Sequence, residues 1–172
     1  ENRLLYASAK LSRPVHISGT PKITIRLASS QPAVNLSVWL VSLPWKKGGR
    51  TNDNIISRGW ADPQNHESLR KSEALEPGKF YKLNFDFQPD DQVIPRGQRI
   101  GLMIFSSDKD FTLWPKPGTE LTIDLDATSL ELPVVGGLKA LRRATTPRRR
   151  RLSLPAMPIH HPLPRINETG GF

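Results

Sequence analysis

The sequence of 172 residues contains no cysteine. Disulfides, thiolate-based metal sites and a cysteine nucleophile are therefore excluded. The absence does not decide the compartment, because many secreted proteins also lack cysteine, and a cytoplasmic location is only the default expectation.

Long apolar runs are also missing. No run approaches the roughly 20 residues that a membrane-spanning helix needs, so no membrane partner is predicted. The opening Glu1-Asn2-Arg3 does not resemble a signal peptide, and the sequence does not begin with Met. These features indicate a processed, truncated or excised piece.

The positive charge is concentrated near one end of the chain. Residues 1–137 carry 17 Lys and Arg against 15 Asp and Glu, whereas residues 138–172 carry 8 against 1. The second segment also has five prolines and four consecutive arginines at 148–151. Frequent prolines break both helix and sheet. The sequence therefore predicts one domain over residues 1–137 and a disordered or loosely attached Arg/Pro-rich tail over residues 138–172.

The arginine run in the tail has the charge to contact phosphates in a salt-dependent way. It lacks the interleaved aromatic side chains on which bases stack. We therefore expect no specific nucleic-acid partner.

Alternation of apolar and polar residues dominates the first 137 positions and is typical of β-strands. Gly and Pro turns separate the alternating runs. Strands are predicted at 4–7, 16–18, 22–27, 36–43, 55–60, 81–87, 100–105, 121–126 and 129–132. Only residues 66–75 suggest a short helical turn. So many short strands and so little helix favour an all-β fold, a two-sheet jelly-roll sandwich.

No catalytic residues are predicted. A serine hydrolase of the α/β type needs a Gly-x-Ser-x-Gly elbow, and this motif does not occur. His16 and His66 are the histidines of the first 137 residues, one on a predicted strand with a half-exposed side chain and one in a polar loop. Neither has a partnered nucleophile in the sequence.

No metal or cofactor is predicted either. Acidic pairs occur at 90 and 91, at 108 and 110, and at 124 and 126. Calcium needs six to eight oxygen ligands, and no loop completes such a set. Solvated carboxylates are the favoured interpretation of all three pairs.

Three tryptophans are candidates for a contact surface. Trp45 and Trp114 are expected at strand ends or in loops, and Trp60 ends a predicted strand, whereas Trp39 is expected in the core. Exposed tryptophans mark contact surfaces, but they also cap the ends of sandwiches, and the sequence leaves both readings open. A free-standing carbohydrate- or ligand-binding module is the alternative function.

An ordered succession of segments resembles a known family. The segments are LLYAS at 4–8, VHISGTP at 15–21, ITIRLASS at 23–30, LSVWLV at 36–41, SRGWAD at 57–62, EPGKFY at 76–81 and IPRGQRIGL at 94–102. Together they resemble the C-terminal domain of the Xaa-Pro dipeptidyl-peptidases, a serine peptidase family that also includes cocaine esterase and related acyl hydrolases. The resemblance covers about residues 4 to 137.

The resemblance implies a galactose-binding-like jelly roll that packs against an α/β-hydrolase catalytic domain. In the family, that domain precedes this region and carries the Ser, Asp and His triad, so no triad position carries over to this chain. The family releases N-terminal dipeptides with proline second, and the C-terminal domain supports the active-site region and contributes to subunit contacts. We therefore expect a domain that is inactive alone and that self-associates through an exposed apolar patch.

The tail departs from the family pattern after Gly137. Enrichment in arginine and proline with loss of alternation is typical of a shifted reading frame in a GC-rich gene. We take this as a hypothesis, which sequencing the 3′ end of the gene would test.

Overall fold

The computed structural model describes residues 3–146. They form nine β-strands, two short 3-10 turns and one helix. The strands are β1 Leu4–Ala7, β2 Val15–Gly19, β3 Lys22–Ser29, β4 Leu36–Leu43, β5 Ile55–Ala61, β6 Phe80–Asp86, β7 Asp90–Ile94, β8 Arg99–Phe105 and β9 Leu121–Glu131, and the helix is α1 Gly137–Thr145. The predicted all-β sandwich is confirmed. The likeness to galactose-binding-like domains stays a prediction.

One layer is a four-stranded antiparallel sheet in the order β1-β8-β4-β5. Its inner strand β4 is buried along nearly its whole length, as its doubly apolar pattern predicts. Gly101 lets β8 lie close to β4, since a Cβ atom at this position would be 2.9 Å from a methyl group of Val41. The sheet ends at β1, whose outer edge has no strand partner among residues 3–146.

The other layer is built from three long, interrupted strands. Strands β2 and β3 follow one another along one line, and β7 and β6 run antiparallel to them on one side. The gap between the two pairs is bridged by Phe87, whose backbone N–H donates to the carbonyl of Pro21 at 2.9 Å. On the other side, β9 pairs with β3, and the chain beyond β9 bonds to β2 through Ile17 and Val134. Strand β9 is therefore the other edge of this layer.

The core lies between the layers. Ile23, Ile25 and Leu27 of β3 point into the core. The residues that alternate with them, Lys22, Thr24 and Arg26, lie on the outer face, as the period-2 pattern predicts. Fully buried side chains from both layers meet there, among them Ile17, Ile25, Leu27, Leu36, Val38 and Leu40.

The helix α1 corrects the expectation that the chain is disordered from residue 138 onward. Its Ala144 is 1% exposed within the core cluster. Ser12 satisfies a backbone carbonyl in the last turn of the helix. Its backbone N–H donates to the carbonyl of Ala144 at 2.7 Å, and its hydroxyl donates to the same oxygen at 2.9 Å. Leu141 and Ala144, three positions apart on α1, pack against the core. The many prolines after the helix masked this helical spacing in the sequence. The 148–151 arginines and the frame-shift hypothesis concern positions outside the described residues.

One further expectation fails, and one strand was not predicted. Residues 66–75 do not form a helical turn, and the 3-10 turn nearby is Pro63–Asn65. Leu75 at the end of the segment is buried, but Leu69 is 92% exposed, so the segment has no continuous apolar face. Strand β7 was missed because four of its five residues are polar or exposed, so it carries no clear alternation.

Candidate functional site

An exposed apolar loop follows β8. We call residues 108–114 the Phe111 loop. Its side chains Phe111, Leu113 and Trp114 are exposed, and Leu113 reaches 82% exposure. Exposed apolar side chains that lie close together are typical of a surface that another molecule or domain covers.

Asp108 holds the Phe111 loop to the sheet. Its carboxylate oxygen Oδ2 accepts hydrogen bonds from the indole nitrogens of Trp39 and Trp60, each at 3.0 Å. Its backbone carbonyl accepts from the N–H groups of Phe111 at 3.0 Å and Thr112 at 2.8 Å. Asp108 is only 5% exposed, so the interpretation of this carboxylate as solvated is wrong.

Arg58 supports the same loop from the neighbouring strand. Its guanidinium lies 5.3 Å from the ring centroid of Trp39 and 5.3 Å from that of Phe111. Trp60 contacts Phe111 at 5.1 Å between ring centroids. Cation–π and aromatic contacts of this kind stabilise the position of the loop on the sheet.

The tip of the Phe111 loop has a further tie. The side-chain amide nitrogen Nδ2 of Asn35 donates to the backbone carbonyl of Leu113 at 2.7 Å. The exposed Leu113 and Trp114 are therefore presented on a backbone that is held at both ends. An ordered apolar projection fits a contact surface better than a surface loop with no partner.

A second apolar surface lies between the edge strands of the two layers. We call it the seam. It is a groove of about 550 Å³, bounded by β1 and β8 on one side and by β9 and α1 on the other. Its lining includes Tyr6, Leu102, Ile104, Leu125, Leu130 and Leu138. Sequence reasoning missed the seam, because its lining comes from three separate segments, within 6–8, 100–104 and 125–145.

The three tryptophans predicted as a contact surface do not lie together. Trp60 pairs with Ser37 at the start of β4, whereas Trp45 follows the other end of that strand. Trp45 lines a separate cavity of about 280 Å³ beside Leu5. Trp60 and Trp114 share the region of the Phe111 loop, but the indole N–H of Trp60 is already bonded to Asp108.

His16 contacts a carboxylate rather than a serine hydroxyl. Its Nε2 lies 2.5 Å from an oxygen of Asp91 across β2 and β7. This hydrogen bond, followed by one from Ser18, holds the pKa of Asp91 below its usual range. The histidine and the serine thus both bind the carboxylate, and the serine hydroxyl has no imidazole base to activate it.

Within residues 3–146, one group of side chains has the spacing to bind a cation: His66, Glu67 and Glu73. Lys71 already forms ion pairs with both glutamates. The lysine charge already compensates the two carboxylates, which weakens their attraction for a cation. No helix in this part of the chain is long and apolar enough to cross a membrane.

A family model matches residues 1–151, described as the X-Pro dipeptidyl-peptidase C-terminal non-catalytic domain. A putative Xaa-Pro dipeptidyl-peptidase of Rhodopirellula baltica is 65% identical over 139 residues, covering 80% of this chain and 22% of the relative. One of Bacillus cereus is 42% identical over 134 residues, covering 78% and 22%. The chain thus spans about a fifth of the length of these relatives.

Solved structures share the fold. An α-amino acid ester hydrolase superimposes with a TM-score of 0.64 at 17% identity, over 78% of this chain and 26% of the other. An aminopeptidase from a marine sediment Thaumarchaeota archaeon gives 0.63 at 15% identity, with the same two coverages. Identities this low show the likeness of fold and no more.

Proposed function

Because the chain belongs to the family of X-Pro dipeptidyl-peptidase C-terminal non-catalytic domains, we propose that it serves as the supporting domain of such a peptidase. In this role it packs against an α/β-hydrolase catalytic domain that releases N-terminal dipeptides with proline second. It helps to shape and support the active site, and the catalytic domain cleaves the peptide bond.

The observation that carries this proposal is the ordered, exposed Phe111 loop. A buried carboxylate, two indole donors and an arginine hold an apolar tip out of the sandwich. An apolar tip that is fixed before binding loses little conformational entropy on contact. This is the property expected of a surface that packs permanently on a neighbouring domain.

The arrangement of the polar groups supports a non-catalytic role. The histidines His16 and His66 contact Asp91 and the carbonyl of Pro63, respectively, and neither contacts a serine or threonine hydroxyl among residues 3–146. The alternative of a carbohydrate-binding module has weaker support, since the predicted tryptophan platform is divided between two ends of the sheet. We also propose that the exposed apolar surfaces make the isolated chain self-associate.

A chimera tests the proposed function. This chain replaces the matching segment of the Rhodopirellula baltica relative, to which it is 65% identical. The assay uses a chromogenic Xaa-Pro substrate on the chimera, on the relative lacking the segment, and on this chain alone. We expect turnover by the chimera, a large loss without the segment and none from the chain alone. Turnover by the isolated chain, or full activity of the truncated relative, would overturn the proposal.

A further inference from the structure

We propose that the seam is a second docking site for the catalytic part of the same polypeptide, and that an apolar surface of that part closes the sandwich there. This inference rests on the proposed function and specifies a second contact surface for the same partner. The Phe111 loop projects from the domain, whereas the seam is an apolar groove that a partner surface would fill.

The first argument is the composition of edge strand β1. All four of its residues, Leu4, Leu5, Tyr6 and Ala7, are exposed, and none is charged. Free edges of sheets in soluble proteins are usually protected by charged side chains, prolines or covering segments, because an unpaired apolar edge promotes aggregation. An edge strand with apolar side chains on both faces indicates a covered edge.

The second argument is the opening of the core at the seam. The buried side chains Ile100 and Ile104 of β8 form part of its floor. Across from them, Leu125 is 53% exposed and Leu138 is 61% exposed. Core and surface apolar groups are thus continuous through one groove, which a covering apolar surface would stabilise by about 25 cal/mol per Å² of apolar area removed from water.

The third argument is the bulge in β9. Between the pairs Thr24 with Ser129 and Arg26 with Asp124, the register shifts, and β9 has extra residues opposite β3. Leu125 lies in this irregular stretch. Bulges re-aim side chains at the edges of sheets, and here the bulge accompanies an exposed leucine that faces the groove.

The position of β1 decides which occupant fits the seam. The family match is a C-terminal domain, so in its relatives the rest of the polypeptide leads into the strand that corresponds to β1. A domain joined within a few residues of the groove has an effective concentration on the order of millimolar. A second copy of the chain would need that concentration in solution to compete.

A further groove adjoins the seam at Ile104 and joins Leu4 of β1 to Phe105 of β8 and to Gly118, which precedes β9. A partner that covers the seam can therefore extend its contact along β1 and β8 toward the segment before β9.

The test uses the chimera with the Rhodopirellula baltica relative and the double variant Leu125→Asp/Leu138→Asp. Both leucines are more than half exposed, and an aspartate in the first turn of α1 is favourable to the helix dipole, so the isolated domain should still fold. Leu69→Asp is the matched control, because Leu69 is 92% exposed and lies away from the seam. The readouts are the thermal midpoint, hydrogen exchange at β1 and turnover.

We expect backbone amides of β1 to exchange at least tenfold more slowly in the chimera than in the isolated chain. The double variant should abolish that protection and lower the thermal midpoint of the chimera, while its effect on the isolated chain stays small. Leu69→Asp should change neither. Equal exchange of β1 in the chimera and in the isolated chain would overturn the inference.

Two further outcomes would also overturn it. Protection of β1 that rises with the concentration of the isolated chain would assign the seam to a second copy. Protection that disappears when the chain is ended at Thr146 would assign it to residues 147–172. A chimera without turnover but with a protected seam contradicts the proposed function alone, and an active chimera with an unprotected seam contradicts this inference alone.

Discussion

The carboxylate of Asp108 accepts a hydrogen bond from the indole nitrogen of Trp39 at 3.0 Å through the same oxygen that binds Trp60. Two tryptophans on adjacent strands are thereby joined by a residue of the loop that follows a third strand. The hydrogen bonds fix the start of the Phe111 loop on the sheet and leave its apolar tip exposed.

Replacing Asp108 with alanine should destabilise the domain by about 2–4 kcal/mol, because two partly buried donors lose their acceptor. Asp108→Asn should cost less, since its amide oxygen still accepts a hydrogen bond. The measurement is chemical denaturation followed by tryptophan fluorescence. Asp110→Asn, in the exposed part of the same loop, is the control and should leave stability within about 0.5 kcal/mol. Equal loss in the alanine variant and in this control would remove the anchoring role.

Gly101→Ala should destabilise the domain by about 1–3 kcal/mol through overpacking. The new methyl group would lie 2.9 Å from Val41 and 3.0 Å from Leu43. Thermal denaturation of the single variant, of Val41→Ala and of the double variant forms a complete cycle. We expect the double variant to be more stable than the sum of the single effects predicts, because removing the Val41 methyl groups makes room. Strict additivity would contradict the close contact.

Acid should weaken one ion pair of β3 and β9. The hydrogen bond from Arg26 is the main reason that the pKa of Asp124 lies below its usual value. A carboxyl whose folded pKa is lowered contributes stability above its unfolded pKa of about 3.9, and that contribution is lost as the pH falls through the folded pKa. The stability difference between wild type and Asp124→Asn should therefore be constant above about pH 5 and shrink below pH 4.

The reciprocal variant identifies the cause of that pH dependence. Arg26→Met removes the guanidinium that pairs with Asp124 and also lies 4.4 Å from the ring centroid of Phe80. It should reduce the same acid-dependent difference, measured by urea denaturation between pH 2 and 6, because only the backbone hydrogen bonds from Ala127 and Asp126 then lower the pKa of Asp124. If Asp124→Asn changes the acid dependence as much in the Arg26→Met background as in the wild type, the arginine is not the main cause.

Ending the chain at Gly136 should strongly destabilise the sandwich, whereas ending it at Thr146 should not. The shorter form loses α1 and exposes the core around Ala144. Ser12→Ala removes only the side-chain hydrogen bonds between the first loop and the end of α1. It should lower the free energy of unfolding by about 1 kcal/mol, since the Ser12 hydroxyl donates to carbonyls at the end of the helix. Circular dichroism and thermal denaturation measure each form. Equal midpoints for the two truncations would place the end of the domain before α1.

Local pattern predicted most of the strands. The alternation around Ile23, Ile25 and Leu27 predicts β3 closely, because one face is buried against the other layer and the opposite face is wet. The predicted runs at 121–126 and 129–132 are one strand, β9, interrupted by its bulge. A bulge breaks the period of two without ending the strand, so the sequence shows two pieces.

Contacts between distant segments were not predictable in this way. Asp108 has the sequence context of a solvated loop acid, and only the approach of Trp39 and Trp60 makes it an anchor. Helix α1 is short and basic, and its place is set by burial of Ala144 rather than by helix propensity. The seam depends on two sheet edges meeting, which no local pattern encodes.

The hydrogen bond from Ser12 to Ala144 joins the beginning of the fold to its end. The path of the chain therefore enters and leaves the sandwich on the same side. A domain whose ends lie close together can be attached to a larger polypeptide as a side branch. Pulling residues 3 and 146 apart would load the β1–β8 pairing and the Ser12–Ala144 contact before it reached the inner strands. The same geometry suits the domain to insertion into a surface loop of an unrelated protein, or to circular permutation with a short linker across the Ser12–Ala144 contact.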